Sequence, residues 1–111
     1  RRLQGEAGEV VGVALRGEGL CLDQLGRHRE AIAVLERGLG FGAPGAQADE
    51  AELARGALGR LLVVTGRDRA RGKALVRTAL ARLHEIDSTD PVVAVLDAWL
   101  AAQRLKRDGP S

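Results

Sequence analysis

Apolar residues recur at helical spacing in five stretches of the chain, and short polar or glycine-rich breaks separate the stretches. Val11, Ala14, Leu15, Leu22 and Leu25 mark one stripe, with Arg16, Glu18, Asp23 and Gln24 among the polar positions, which predicts a first helix over about 11–25. Gly26, Arg27 and His28 interrupt it. Ala31, Ile32, Leu35 and Leu39 form a second stripe opposed by Arg29, Glu30, Glu36 and Arg37. The stretch 38–45, Gly-Leu-Gly-Phe-Gly-Ala-Pro-Gly, cannot continue a helix cheaply, because glycine costs backbone entropy and proline lacks a donor, so a turn is expected there.

A third helix is predicted to open at Gln47 or Asp49, with Glu50 and Glu52 near the positive end of its dipole. Leu53, Ala54, Ala57, Leu58, Leu61, Leu62 and Val64 carry it to Thr65, and Gly66 ends it. A fourth runs over about 69–85, with Gly72, Leu75, Val76, Ala79, Leu80 and Leu83 inward and Arg71, Arg77 and Arg82 outward. Ser88, Thr89, Asp90 and Pro91 combine a polar cap with a proline suited to the first helical position. The helix that follows is expected to bury Val92, Val95, Leu96, Trp99 and Leu100, and to end in the basic tail Arg104, Lys106 and Arg107 before Gly109.

The pattern repeats. Gly26 and Gly66 lie 40 residues apart, as do Gly19 and Gly59, and Leu22 and Leu62. Beyond the breaks, Leu35 and Val76, Gly38 and Ala79, and Leu39 and Leu80 lie 41 apart, so the second turn is one residue longer. The chain reads as one helical hairpin written twice, followed by a further helix. A two-helix unit cannot bury its own apolar stripe, so repetition implies stacking, and stacking yields a surface rather than an enclosed pocket. Glycine inside a helix costs roughly 1 kcal/mol against alanine. Gly19, Gly59 and Gly72 therefore predict close helix approach.

Composition narrows the classes. Hydrophobic residues make up 45% of 111 but aromatic residues only 2%, namely Phe41 and Trp99, so the core must come from Leu, Val, Ile and Ala. Stacking platforms for nucleic-acid bases need more rings than that. Formal charge is +2, and 15 of the basic residues are arginine, which with abundant alanine and glycine points to GC-rich bacterial coding. A lone Cys21 excludes an internal disulfide and reads as a small core residue. No stretch approaches the ~20 apolar residues of a membrane span. A cytoplasmic setting is expected, and the start at Arg1 suggests a piece of a longer protein.

Little chemistry is written in. His28 and His84 sit in a turn and near a helix end, with no serine, cysteine or acidic partner at a recognisable spacing. There is no His-Glu-x-x-His, no cysteine pair and no alternating acidic loop, and the glycine-rich stretch lacks the Lys and Ser/Thr of a phosphate loop. No catalytic residue, metal site or cofactor is expected. The expectation is a binding protein.

Residues 26–39, Gly-Arg-His-Arg-Glu-Ala-Ile-Ala-Val-Leu-Glu-Arg-Gly-Leu, resemble the turn and second helix of the tetratricopeptide repeat, with Gly19, Ala31 and Gly38 at its small positions and His28 where an aromatic is usual. The second copy departs from the pattern at Arg55, which takes an apolar position, and fits Gly72 only with the longer turn. The resemblance implies an all-α fold of antiparallel hairpins stacked as a right-handed superhelix. It divides a single domain, 1–111, into repeats of about 12–45 and 47–86 and a capping helix of about 91–107.

It also implies that the first helix of each pair lines a concave groove, presenting Val13, Arg16, Leu20, Gln24 and Arg27, then Leu53, Gly56, Arg60, Val63 and Arg67. Such a groove would be basic with apolar gaps, suited to a protein or peptide segment with acidic and aliphatic residues. Gly17 and Ala57 take the position of the asparagine with which some members clamp a chaperone carboxylate, so that use is not expected. The implied role is a non-catalytic protein-interaction scaffold or regulatory part of a larger bacterial protein, such as a kinase or transcriptional regulator. Two pairs fall short of the three repeats usual for stability, so preceding repeats or self-association are expected. The alternative is a helical nucleic-acid-binding domain using Arg67, Arg69, Arg71, Arg77 and Arg82, although near-neutral charge weighs against it.

Overall fold

A computed structural model describes the backbone of residues 2–41 and 48–108 and the side chains of 10–41 and 49–103. It contains five helices, α1 Arg2–Gln24, α2 His28–Leu39, α3 Ala48–Val64, α4 Arg69–Glu85 and α5 Pro91–Asp108, and no strand among the described residues. The all-helical expectation holds. α1 starts well before the Val11 at which its apolar stripe begins. The turn residues 42–45, the Gln47 start and the side chains of the basic tail lie outside the described residues.

The two glycine breaks work alike. Gly26 and Gly66 hold φ of 79° and 72°, the left-handed region open to glycine at no steric cost. After α1, Gly26 N donates to Asp23 O at 3.0 Å and Arg27 N to Leu22 O at 2.9 Å, which closes the helix end by the paired bonds of a Schellman turn. After α3, Gly66 N donates to Val63 O at 3.0 Å, but Leu62 O is met by Asp68 N, one residue further on, at 3.4 Å. The added residue supplies a cap: an Asp68 carboxylate oxygen accepts from Arg71 N at 3.1 Å, whereas Arg27 makes no side-chain cap bond to α2. Asp90 starts α5, its Oδ1 accepting from Val92 N at 2.9 Å.

α1 with α2 and α3 with α4 form the closest helix pairs, and α3 also packs on α2 and α1 while α5 packs on α4 and touches α3. The neighbours of α3 thus recur one unit later for α5. Two apolar clusters result. Ala31, Ile32 and Leu35 of α2 meet Ala54, Leu58 and Leu61 of α3, with Leu20 and Leu22 of α1 against their edge. Val76, Leu80 and Leu83 of α4 meet Val93 and Leu96 of α5. The principal extents are 55 × 30 × 22 Å, the elongated form of side-by-side hairpins.

Close approach occurs where the interior glycines predict it. A Cβ at Gly59 would lie 2.5 Å from the Gly72 carbonyl oxygen, and one at Gly72 would lie 2.5 Å from that of Gly59, so α3 and α4 meet backbone to backbone. A Cβ at Gly19 would lie 2.5 Å from Leu35 Cγ.

Several apolar positions fall elsewhere than expected. Among the described residues of α1 the fully buried ones are Gly12, Arg16 and Gly19, with Leu20 and Leu22 partly buried against the core, while Val11 and Ala14, and Leu25 just after the helix, are exposed. Closeness to α2 is gained there with glycine, so few apolar side chains mark the inner face. Cys21 is exposed on the same helix rather than in the core. In α5, Val93 and Leu96 are buried while Val92 and Val95 face outward. No described helix is long and apolar enough to cross a membrane.

Candidate functional site

A concavity of about 420 Å³ lies where α1, α3 and α5 run side by side. Helical spacing brings its lining to one side of each helix: Leu20, Asp23 and Gln24 on α1, Leu53, Ala57 and Arg60 on α3, and Val92, Val95, Leu96 and Trp99 on α5. Gly56 makes room for its floor, since a Cβ there would stand 2.6 Å from Leu96 Cδ1. The wall is mostly aliphatic with one indole. Val95, 62% exposed, and Val92, 40% exposed, present apolar surface that no other part of the described structure covers.

Charge is arranged around this wall rather than across it. Arg60 Nη2 donates to Asp23 Oδ1, a bridge between α3 and α1 that engages the one cation among the described residues lining the groove. At the start of α5, Asp90 belongs both to the groove and to an adjoining open hollow of about 340 Å³ lined by Asp49, Ile86, Asp87, Ser88, Thr89 and Asp90. Asp87 itself sits at φ 53° in the turn after α4, where Ser88 N donates to Leu83 O at 3.0 Å.

Of the groove residues that the resemblance implies, Leu20, Gln24, Leu53 and Arg60 line the concavity together. Val13, Arg27 and Arg67 are exposed but outside it, and Arg27 is engaged with Glu30 at 2.6 Å. Val63 is buried, its Cγ2 2.8 Å from where a Cβ at Gly72 would be, because at that level α3 turns this face to α4.

Arg16 is the main correction. It is wholly buried, its Nε donates to both Glu50 carboxylate oxygens at 2.9 Å, and its Nη1 donates to Gly38 O at 2.9 Å. It ties α1 to the last turn of α2 and the first turn of α3, and is absent from the lining of the concavity. The expected basic groove is therefore an apolar one whose remaining cation is already paired.

Sequence reasoning left out the α5 side of the groove, because its residues read as the core stripe of a capping helix. The signal was present in the proximity of Val92, Val93, Val95 and Leu96, which is more apolar surface than one buried stripe can hold.

Elsewhere the polar groups serve the fold. His84 Nε2 lies 2.9 Å from Asp97 Oδ2, a link from α4 to α5. Arg55 donates to Glu52 Oε2 at 2.7 Å, while buried Glu52 Oε1 has no hydrogen-bond partner among the described residues. The fourth-helix arginines do not share a face: at about 100° per residue, Arg69 and Arg77 fall within roughly 80° of each other, and Arg71 and Arg82 lie on another side. Arg71 is engaged with Glu36 at 3.2 Å. Among the described residues, no three His, Cys, Asp or Glu side chains are placed to hold a metal ion. Comparison of the chain with protein-family models, with curated proteins and with solved structures finds no match.

Proposed function

We propose that this chain is a non-catalytic protein-interaction module of tetratricopeptide-like build, a cytoplasmic scaffold or regulatory part of a larger bacterial protein, and that it takes a peptide or helical segment in the α1–α3–α5 groove. The observation that carries the reading is the partly exposed aliphatic wall of Leu20, Leu53, Val92 and Val95 around Trp99, presented by α1, α3 and α5. Helical or extended segments with aliphatic anchors are the ligands such walls take.

The test uses peptides selected from a random library on the wild-type chain. Trp99, the sole tryptophan, lines the groove and reports occupancy by a change in emission. Covering one aliphatic side chain contributes about 1.5 kcal/mol, so Val95→Asp is expected to weaken binding by ~10-fold or more. Because Val95 is largely exposed, the melting temperature should be unchanged. Val92→Asp is expected to act likewise. Selected peptides that bind both variants as they bind wild type would place the site elsewhere.

A further inference from the structure

We infer that the segment taken by this groove is aliphatic with a basic flank, an inference that rests on the groove reading above. Of the four arginines expected in the groove, Arg27 and Arg67 lie outside its lining and the other two are already engaged. Arg16 is buried against Glu50 and Gly38, and Arg60 is held by Asp23.

What the groove opens onto is acidic. Asp90 stands at the boundary between the apolar wall and the adjoining hollow, and Asp49 and Asp87 share that hollow with it. Among the described residues none of the three carboxylates is ion-paired, and no lysine, arginine or histidine lines the hollow. A peptide whose aliphatic side chains cover Val95 and Trp99 and whose chain continues past Asp90 brings its next residues over these carboxylates. Lysine or arginine there is attracted, glutamate is repelled, and the same contacts fix the direction in which the segment lies.

The contribution is that of solvent-exposed pairs, up to about fivefold in affinity for each pair, and it falls as salt screens it. The aliphatic anchors supply the rest of the affinity and are indifferent to salt on this scale.

The experiment compares short synthetic peptides with one aliphatic core, taken from the library selection, and flanks of lysine, glutamine or glutamate. Affinity is read by anisotropy and by Trp99 emission, at low salt and at several-fold higher salt. The lysine-flanked peptide is expected to bind about fivefold or more tighter than the glutamine-flanked one, and the glutamate-flanked one weaker still, with the spread closing at high salt. Asp87→Asn is compatible with the positive φ at that position, since asparagine tolerates it. Alone and with Asp49→Asn, it should reduce the lysine advantage and leave glutamine-flanked binding unchanged.

Equal affinities, or a preference for glutamate, would overturn the basic flank while leaving the groove standing. If no flank variant binds in a manner sensitive to Val95→Asp, the groove reading falls and this inference with it. Concentration-dependent self-association that Val95→Asp abolishes would assign the groove to a second copy of the chain and overturn the inference too.

Discussion

Gly59→Ala and Gly17→Ala are the same chemical change inside two helices, and the structure sets them to opposite signs. Each exchanges an interior glycine for the best helix former, a gain of about 1 kcal/mol. Around Gly17 an added Cβ would meet nothing within 4 Å, so the gain is uncompensated. At Gly59 the added Cβ would lie 2.5 Å from the Gly72 carbonyl oxygen and 2.9 Å from both Leu75 Cβ and Val76 Cγ2. Backbone on backbone cannot rotate aside, so α3 and α4 must separate by most of an ångström, which also loosens the surrounding packing. Overpacking of this kind costs about 1–3 kcal/mol, and the reciprocal contact at Gly72 puts this site at the upper end.

Net of propensity, Gly59→Ala is expected to destabilise by about 2 kcal/mol, against a stabilisation of about 1 kcal/mol for Gly17→Ala. At roughly 4–8 °C per kcal/mol for a domain near this size, the two melting temperatures should differ by at least about 12 °C, and urea midpoints should move in the same opposite directions at constant slope. Helical circular dichroism follows both transitions. A Gly59→Ala protein as stable as wild type, or raised like Gly17→Ala, would mean that α3 and α4 do not cross at this distance.

Arg16→Met leaves Gly38 O with only the longer bond from Phe41 N, at 3.3 Å, and Glu50 without its cation. Since the Glu50 side chain is a third exposed and can be rehydrated, a loss of about 2–3 kcal/mol is expected, below the full cost of breaking a buried pair. The loss should be recovered in part by adding Glu50→Gln, and a melting temperature unchanged by Arg16→Met would remove the bridge from the account of stability. Gly26→Ala and Gly66→Ala should each cost about 1–2 kcal/mol, because both glycines have left-handed φ and neither has an atom near its missing Cβ. A loss at only one of them would contradict their shared role.

The helices were legible where caps and periodicity agree. Asp90 caps α5 where the polar signal places a start, Asp68 caps α4 at the predicted start near 69, and Gly26 and Gly66 end α1 and α3 as the breaks imply. The extra residue in the second turn was legible as a shift from 40 to 41, and its physical counterpart is the cap that Asp68 provides. The inner face of α1 was legible only in part, at Gly19 and Leu22. Periodicity weighs side chains by hydrophobicity, and α1 turns Gly12, Arg16 and Gly19 inward, two residues with no side chain and one with a charge.

The groove was half legible for a related reason. The tetratricopeptide resemblance implies one surface for Leu20, Gln24, Leu53 and Arg60, and these four line the concavity. The sign of its charge could not be read that way. Arg16 finds Glu50 across 34 positions, and Arg60 finds Asp23 across 37, separations at which no helical spacing operates. Both pairings depend on how closely α1 and α3 stack. That stacking puts Arg16 and Arg60 in the joint between α1 and α3, while Asp49, Asp87 and Asp90 line the hollow that adjoins the groove. On the proposed reading, a basic rather than an acidic flank thus follows from helix packing, with no change in the residues counted.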